Sequence, residues 1–322
     1  MRLLVTGATG FIGWHLCRRL VSCGHEVHGI SRRQDSPKDD GMRWWEGDLT
    51  NEDVVSNIVK SVRPEIIFHL ASRVTGSRDS REIVSTFHAN LASSVHIMLS
   101  ALDAGCRRIV LAGSSEEPID GTSNAPCSPY AAAKASATNY ARMFRSLFDE
   151  YVVVPRIFMT YGPRQLDLQK LLPYTIMSLI RGESPRLTTG RRLVDWIYVD
   201  DVVEGLLRAA FSDQTRTMTF DLGSGTLVSV HDVVEEVARI VGNGAKPLFG
   251  AVPDRPFEPE RVADTKFAEE VLRWRPQVSL RKGLEKTIAW YRSASNAGFW
   301  VASVVWAFFG PLFDLLSCPE VY

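Results

Sequence analysis

The sequence has no Cys-x-x-Cys pair. Its five cysteines (Cys17, Cys23, Cys106, Cys127 and Cys318) are scattered and odd in number. That argues against a disulfide framework or a zinc site and predicts free thiols in a reducing compartment. The seven histidines show no metal-ligand spacing either, so no metal is expected. An excess of one charge is also missing: Lys+Arg and Asp+Glu number 37 each. A dedicated nucleic-acid binder carries a basic surplus, so no nucleic-acid partner is expected. There is no internal repeat and no low-complexity run. A strand pattern begins almost at once after Met1, so no cleavable leader is expected ahead of the fold. What is present is a chain of 322 residues, 45% hydrophobic and 23% charged, able to bury a sizeable core.

Short apolar runs at 2–6, 26–30, 66–70, 108–112 and 152–157 read as buried strands. Helical periodicity fills 11–22 (Phe11, Ile12, Leu16, Leu20) and a stretch from about Asn90 to Ala104. Strand–helix alternation predicts right-handed crossovers and a doubly wound parallel α/β sheet with helices on both faces. After Pro163 the pattern changes. Helical segments at 171–181, 199–211 and 230–241 mix with shorter strands, and a last helix is expected at 280–292. The expected organisation is a dinucleotide-binding unit over 1–165, with 197–225 returning to it. A smaller interleaved α/β substrate-binding part takes 166–196 and 226–292.

Residues 293–322 contain no Lys or Arg and carry an apolar run at 299–309, then Gly310-Pro311, then 312–316 with Asp314. A membrane span wants about 20 apolar residues. Two readings stand for 299–316: membrane contact, or a helix packed on the body or on a partner subunit. The expected location is cytoplasmic, with that tail as the one route to a membrane.

Gly7-x-x-Gly10-x-x-Gly13 lies where a strand becomes a helix. Gly7 permits a tight turn, Gly10 lets backbone approach a pyrophosphate, and Gly13 allows close helix–strand packing. The helix start supplies oriented N–H groups for phosphates. With the glycines, Thr9, Phe11, Ile12, Leu49, Leu70, Ala71 and Ser72 are candidate cofactor contacts. The second strand exits through Ser31, Arg32 and Arg33, with no carboxylate to bind a ribose 2′-hydroxyl. A serine and two guanidinium groups suit a 2′-phosphate, so NADP(H) is expected ahead of NAD(H). Asp48 is placed to accept from an adenine amino group.

Tyr130-Ala-Ala-Ala-Lys134 puts a phenol and an ammonium on one helical face. The nearby cation, with an oxidised nicotinamide, is expected to favour the phenolate, a base for a sugar hydroxyl. Lys134 would also hold the nicotinamide ribose. Ser114, after the fourth strand, can donate to the reacting oxygen. Glu116 is a candidate acid or base, against a reading of Glu116 and Glu117 as a solvated loop.

These residues resemble the extended short-chain dehydrogenase/reductase family in its nucleotide-sugar branch. The likeness runs from residue 1 to about Arg292. It rests on Thr6-Gly7-Ala8-Thr9-Gly10-Phe11-Ile12-Gly13, Gly47-Asp48-Leu49, Phe68-His69-Leu70-Ala71, Asn90, Ser114-Ser115-Glu116, Tyr130/Lys134, Tyr161-Gly162-Pro163 and Tyr198-Val199-Asp200-Asp201. The resemblance implies a Rossmann fold, Ser114, Tyr130 and Lys134 as a catalytic triad, an NDP-sugar bound by the C-terminal part, and a homodimer. Ser115 stands where the family's 4,6-dehydratases carry an aspartate. Met159 stands where an asparagine commonly meets substrate, and Val194 where an arginine precedes Asp195. Candidate substrate contacts are therefore Ser115 and Met159, with Arg191, Arg192 or Arg255 on the diphosphate. The expected activity is an NAD(P)-dependent nucleotide-sugar epimerase acting by transient oxidation at sugar C4. The alternatives are an NADPH-dependent 4-keto-sugar reductase, then a dehydratase or decarboxylase, then a non-catalytic cofactor-binding scaffold.

Overall fold

The fold was analysed in a computed structural model that describes residues 1–32, 41–118, 125–149, 151–212, 219–254 and 260–296. The first half alternates strand and helix: β1 (Arg2–Thr6), α1 (Phe11–Ser22), β2 (Glu26–Ser31), β3 (Arg43–Glu46), α2 (Glu52–Val62) and β4 (Ile66–His69). Then come α3 (Glu82–Thr86), a π-helical turn (Phe87–Ala92), α4 (Ser93–Ala104), β5 (Arg108–Leu111), β6 (Gly113–Ser114), α5 (Pro129–Phe148) and β7 (Val152–Ile157). The second half holds β8 (Met159–Tyr161), α6 (Leu171–Ile180), β9 (Leu193–Tyr198), α7 (Val199–Phe211), β10 (Thr219–Leu222), β11 (Leu227–Ser229), α8 (Val230–Val241), α9 (Lys266–Glu270) and α10 (Leu280–Asn296).

The main sheet runs β3-β2-β1-β4-β5-β7-β10, with β6 also on β7, and every pairing is parallel. The chain leaves β1 in one direction through β2 and β3, then returns to β4 and proceeds the other way. The crevice between the carboxyl ends of β1 and β4 is thus the topological switch point, where doubly wound sheets bind ligands. Beyond β7, β8 pairs parallel with β9, and β11 pairs antiparallel with β9, forming a second small sheet.

Three apolar clusters hold these layers together. On one face of the main sheet Leu3, Val5 and Phe68 pack with Leu16 and Leu20 of α1, Leu206 of α7 and Trp274. On the other, Leu4, Ile67 and Ile109 pack with Val59 of α2, Ile97 of α4 and Phe144 of α5. Successive strand residues point to opposite faces, so the run Leu3-Leu4-Val5 is apolar throughout because both faces are covered. A third cluster (Ile176, Trp196, Val233, Leu284, Ile288) builds the part around α6, α8, β9 and α10. Asp201, at the start of α7, accepts from the backbone N–H groups of Gln277 and Val278, and its carbonyl takes the Trp274 indole N–H. One turn of α7 thereby anchors the chain leading into α10.

Beside the short α3, β6 and α9, the elements β3 and α2 are absent from the sequence reading. β3 is a four-residue edge strand, Arg-Trp-Trp-Glu, without alternation of apolar and polar residues. Its Trp44 ring covers Gly29, where an added Cβ would lie 2.7 Å from the ring. α2 did carry a signal: Asn51 caps it by accepting from Val54 N–H, and Glu52 and Asp53 occupy its first turn. The helix expected from about Asn90 instead begins with a π-helical turn, with Asn90 buried inside it.

Candidate active site

The glycine turn sits at the switch point. Gly7 adopts φ +68°, and a Cβ there would stand 2.7 Å from the Ala71 nitrogen. The turn therefore lies directly on the exit of β4. A Cβ on Gly13 would come within 2.1 Å of the Gly7 carbonyl oxygen, so α1 starts in contact with the turn. Gly10 N–H donates to Gly7 O at 2.9 Å and Gly10 caps α1. No side-chain oxygen caps this helix and its first turn holds no carboxylate. Backbone N–H groups and partial positive charge are left facing the crevice, as a pyrophosphate requires. The residues present fit a dinucleotide. Thr9 and Gly10 are exposed there, and Phe11 and Ile12 half-buried. Below them Thr6 Oγ1 pairs with His69 Nδ1 at 2.8 Å and accepts from Ala71 N–H at 3.2 Å. Burial pushes His69 down to about 3, so the ring is neutral at physiological pH.

At the far end of the crevice, Ser31 O accepts from Gly47 N–H at 3.0 Å, which brings Asp48 beside the exit of β2. Asp48 Oδ1 accepts from the Thr50 N–H and hydroxyl, both at 2.9 Å. That backbone hydrogen bond does most to hold its carboxyl below the usual range, and the Arg32 charge adds to it. Arg32 itself is exposed. Leu49 offers its carbonyl to the His96 ring at 3.0 Å. Arg33 and Arg255 lie outside the described residues, as do residues 299–316.

Across the crevice, Ser128 caps α5 by accepting from Ala131 N–H at 3.0 Å, and Pro129 opens the first turn. Tyr130, Lys134 and Thr138 then recur every four residues on one buried face. The Ser114 and Ser72 side chains both act on the Tyr130 phenol, each favouring its charged form. Ser72 in turn donates to Asn90 Oδ1 at 2.9 Å, and Asn90 also accepts from Arg73 N–H at 2.7 Å and donates to Arg73 O at 3.1 Å. Hydrogen bonds thus tie Ser72 and Arg73 to the π-helical turn through Asn90. Ser72 stands on the phenol in addition to following Leu70 and Ala71 at the β4 exit.

Without a dinucleotide, the polypeptide's own groups do not favour a phenolate at Tyr130. Burial pushes the Tyr130 phenol well above its ordinary range. The Ser114 and Ser72 hydrogen bonds oppose this, and the Glu116 and Glu117 charges reinforce it. Lys134 Nζ lies 5.9 Å from the phenol ring centroid and donates to Ala112 O at 2.8 Å. Burial pulls Lys134 itself down to about 8, opposed by Glu117. Desolvation is the largest cause at both groups.

The loop after β6 is not a solvated one. Glu116 is half-buried; its N–H donates to Ser114 Oγ at 3.2 Å and its carboxylate accepts from Ser128 Oγ at 3.4 Å. Glu117 is 5% exposed and accepts from Ser114 N–H at 2.7 Å and from Thr138 Oγ1 at 2.8 Å. Arg261 donates to the carbonyls of Ser115 and Glu117 and to both oxygens of Asp221, which Arg156 also engages at 2.6 Å. Nothing local in the sequence marks Arg261, which reaches this loop from well over 100 positions away.

The substrate-side candidates are less gathered. Ser115 is held by its N–H on Ile157 O, and Met159, 39% exposed, begins β8. Met159 pairs with Trp196. Arg192 lies four residues before Trp196, about 13 Å along an extended chain. Arg191 is exposed and its charge acts on Asp254. Arg191 and Arg192 precede β9, in which Trp196 is the partner of Met159. Asp195 is a packing anchor: it accepts from Ser224 N–H and hydroxyl, Gly225 N–H and Ala263 N–H. Among the described residues, no three His, Cys, Asp or Glu side chains group to hold a metal.

A glycine turn that fits a dinucleotide and a buried set of Ser114, Tyr130 and Lys134 thus flank the switch-point crevice. Residues 3–223 match the NAD dependent epimerase/dehydratase family, and the chain belongs to that family. It is 30% identical to a UDP-glucose 4-epimerase of Mycolicibacterium smegmatis over 92% of this chain and 100% of that protein. A dTDP-glucose 4,6-dehydratase of Escherichia coli is 26% identical over 93% of this chain and 95% of its own length. Among solved structures, the UDP-glucose 4-epimerase of Thermotoga maritima with UDP-glucose superposes with a TM-score of 0.83. It is 26% identical, covering 92% of this chain and 100% of the other. MoeE5 in complex with UDP-glucose and NAD gives 0.80 at 30% identity, covering 92% and 100%.

Proposed function

We propose that the protein is an NAD(P)-dependent nucleotide-sugar 4-epimerase. The observation that carries this is the buried set of Ser114, Tyr130 and Lys134, with the Lys134 ammonium 5.9 Å from the Tyr130 ring centroid, at the switch-point crevice. Gly7, Gly10 and Gly13 with the start of α1 hold the pyrophosphate, and Lys134 the nicotinamide ribose. When bound, the oxidised dinucleotide supplies a hydride acceptor and a positive charge beside the phenol. Tyr130 takes the proton of the sugar C4 hydroxyl, and Ser114 Oγ donates to the reacting oxygen. Glu116 stands within reach as a second proton carrier. Ser115 has no carboxyl to protonate a leaving 6-hydroxyl, which favours epimerisation over dehydration.

Residues 1–165 with 197–225 bind the dinucleotide in this reading, and 166–196 with 226–292 hold the sugar nucleotide. Ser31 and Arg32 favour NADP(H), since neither offers a carboxylate against a 2′-phosphate. Exposed apolar side chains on α3 (Ile83, Val84), the adjoining π-helical turn (Phe87) and α5 (Tyr140, Met143, Leu147) suit a second copy of the chain. Among the described residues no helix is long and apolar enough to cross a membrane; any membrane contact falls to residues 299–316. Removing the residues after Arg292 and following membrane fractionation and sedimentation separates an anchor from a packing segment.

The test is a panel including UDP-glucose and UDP-glucuronic acid, with retained dinucleotide identified on the purified protein. The expected result is a C4 epimer without net consumption of cofactor, lost in Tyr130→Phe. Stoichiometric oxidation of NADPH with a 4-keto sugar replaces this reading with the reductase. Unchanged cellular function in Tyr130→Phe replaces it with a non-catalytic scaffold.

A further inference from the structure

Glu117 has no part in the chemistry just described, yet it is among the few carboxylates of this chain that are almost fully buried. We propose that Glu117 is a positioning residue: a buried strut that fixes Ser114 against the face of α5 bearing Tyr130 and Lys134. One carboxylate oxygen accepts from the Ser114 N–H at 2.7 Å; the other accepts from Thr138 Oγ1 at 2.8 Å. Thr138 stands four residues beyond Lys134 and eight beyond Tyr130, on the same helical face. The strut therefore connects the backbone of one reacting residue to the helix that carries the other two.

The surroundings are shaped to this carboxylate. A Cβ at residue 113 would lie 2.8 Å from Glu117 Oε1, so Gly113 leaves the room it occupies. Glu117 N–H closes a turn onto Ser114 O at 3.1 Å. From outside, Arg261 holds the carbonyls on either side of Glu116, and Asp221 holds Arg261. The charged and titratable groups around the strut are Tyr130 and Lys134 on α5, Glu116 on its own loop and Arg261 from the C-terminal segment. His69 on β4 is lowered in turn by the Lys134 charge, and Arg156 on β7 acts on Arg261. A carboxylate makes both bonds with charge-assisted strength, which a neutral side chain would not match.

The proposal rests on the reading of Ser114 and Tyr130 as the reacting pair, and its test separates the two. Glu117→Ala, Glu117→Gln and Thr138→Val would be compared with wild type by amide hydrogen exchange of segment 113–117 and by turnover of UDP-glucose. In Glu117→Ala the Ser114 amide should exchange more than about tenfold faster, since a hydrogen bond to a charged group is lost. kcat should fall about 100-fold with KM little changed, the cost of a misplacement near 1 Å. Glu117→Gln keeps an oxygen for the Ser114 N–H without the charge and should recover part of the protection and part of kcat, both between Glu117→Ala and wild type. Its alkaline limb should move to lower pH, because the Tyr130/Lys134 pair loses a neighbouring negative charge. Thr138→Val cuts only the far end, keeps the fold and should give an intermediate loss. Unchanged Ser114 protection in Glu117→Ala overturns the strut, and so does lost protection with kcat intact. If Ser114→Ala and Tyr130→Phe also leave turnover intact, the redox reading fails instead, and hydrogen exchange alone still decides the strut.

Discussion

Gly13→Ala tests the dinucleotide cradle most sharply. The new Cβ would stand 2.1 Å from the Gly7 oxygen and 2.8 Å from its carbonyl carbon. Even close C···O contacts in proteins lie near 3.3 Å, so α1 and the turn must separate by about 1 Å. Both partners are backbone, and no side chain can rotate away. Overpacking of this kind costs about 1–3 kcal/mol. A shift of about 1 Å in a binding constellation is worth roughly 100-fold. We therefore expect a folded variant whose dinucleotide affinity, measured by calorimetry, is about 100-fold weaker. Gly24→Ala is the control: Gly24 adopts φ +77° with nothing within 4 Å of an added Cβ. It should lose about 1 kcal/mol to left-handed strain and keep its affinity. Wild-type affinity in Gly13→Ala would refute the placement of the pyrophosphate at this turn.

Other consequences are open to measurement. Lys134, brought down to about 8 by burial, should give turnover an alkaline limb as pH rises through that value in the ligand-free titration. Lys134→Arg, which stays charged, should lose that limb while turning over more slowly. His69 titrates at about 3 when folded and near 6.5 when unfolded. Below 6.5 the unfolded chain binds the extra proton, so stability falls with pH by about 1.4 kcal/mol per unit down to about 3. Thermal melts across this range should show a shallower acid loss in His69→Gln; an unchanged slope would contradict the neutral buried ring. Arg32→Glu should shift the ratio of NADP to NAD affinity toward NAD. A ratio that stays put would remove Arg32 from the 2′-phosphate site.

Local features were the ones readable in advance. The run Leu3-Leu4-Val5, the glycine turn and the Tyr130/Lys134 spacing each express a rule that acts within a few residues. β3 was missed because an edge strand of four residues satisfies little of its own pattern. The Tyr130 phenol was read with its cation but without its desolvation, which only the packed structure reveals. Arg261, Asp221 and Asp195 were invisible for another reason: their partners are brought to them by chain crossings, and no spacing announces such pairs. For Glu116 and Glu117 the sequence leaves a solvated loop open, because nothing local distinguishes a buried carboxylate from an exposed one. Burial between β6 and α5 decides against it.

The family match ends at residue 223, yet Asp221 is bound to Arg261 beyond it. A graft exchanging the C-terminal third between relatives would sever this clasp. Asp221 would then keep Arg156 as its one cationic partner beside the backbone N–H at position 264, and breaking a buried ion pair costs about 3–5 kcal/mol. Chimeras that transplant the sugar-recognising portion should therefore carry the arginine with its aspartate, or replace both.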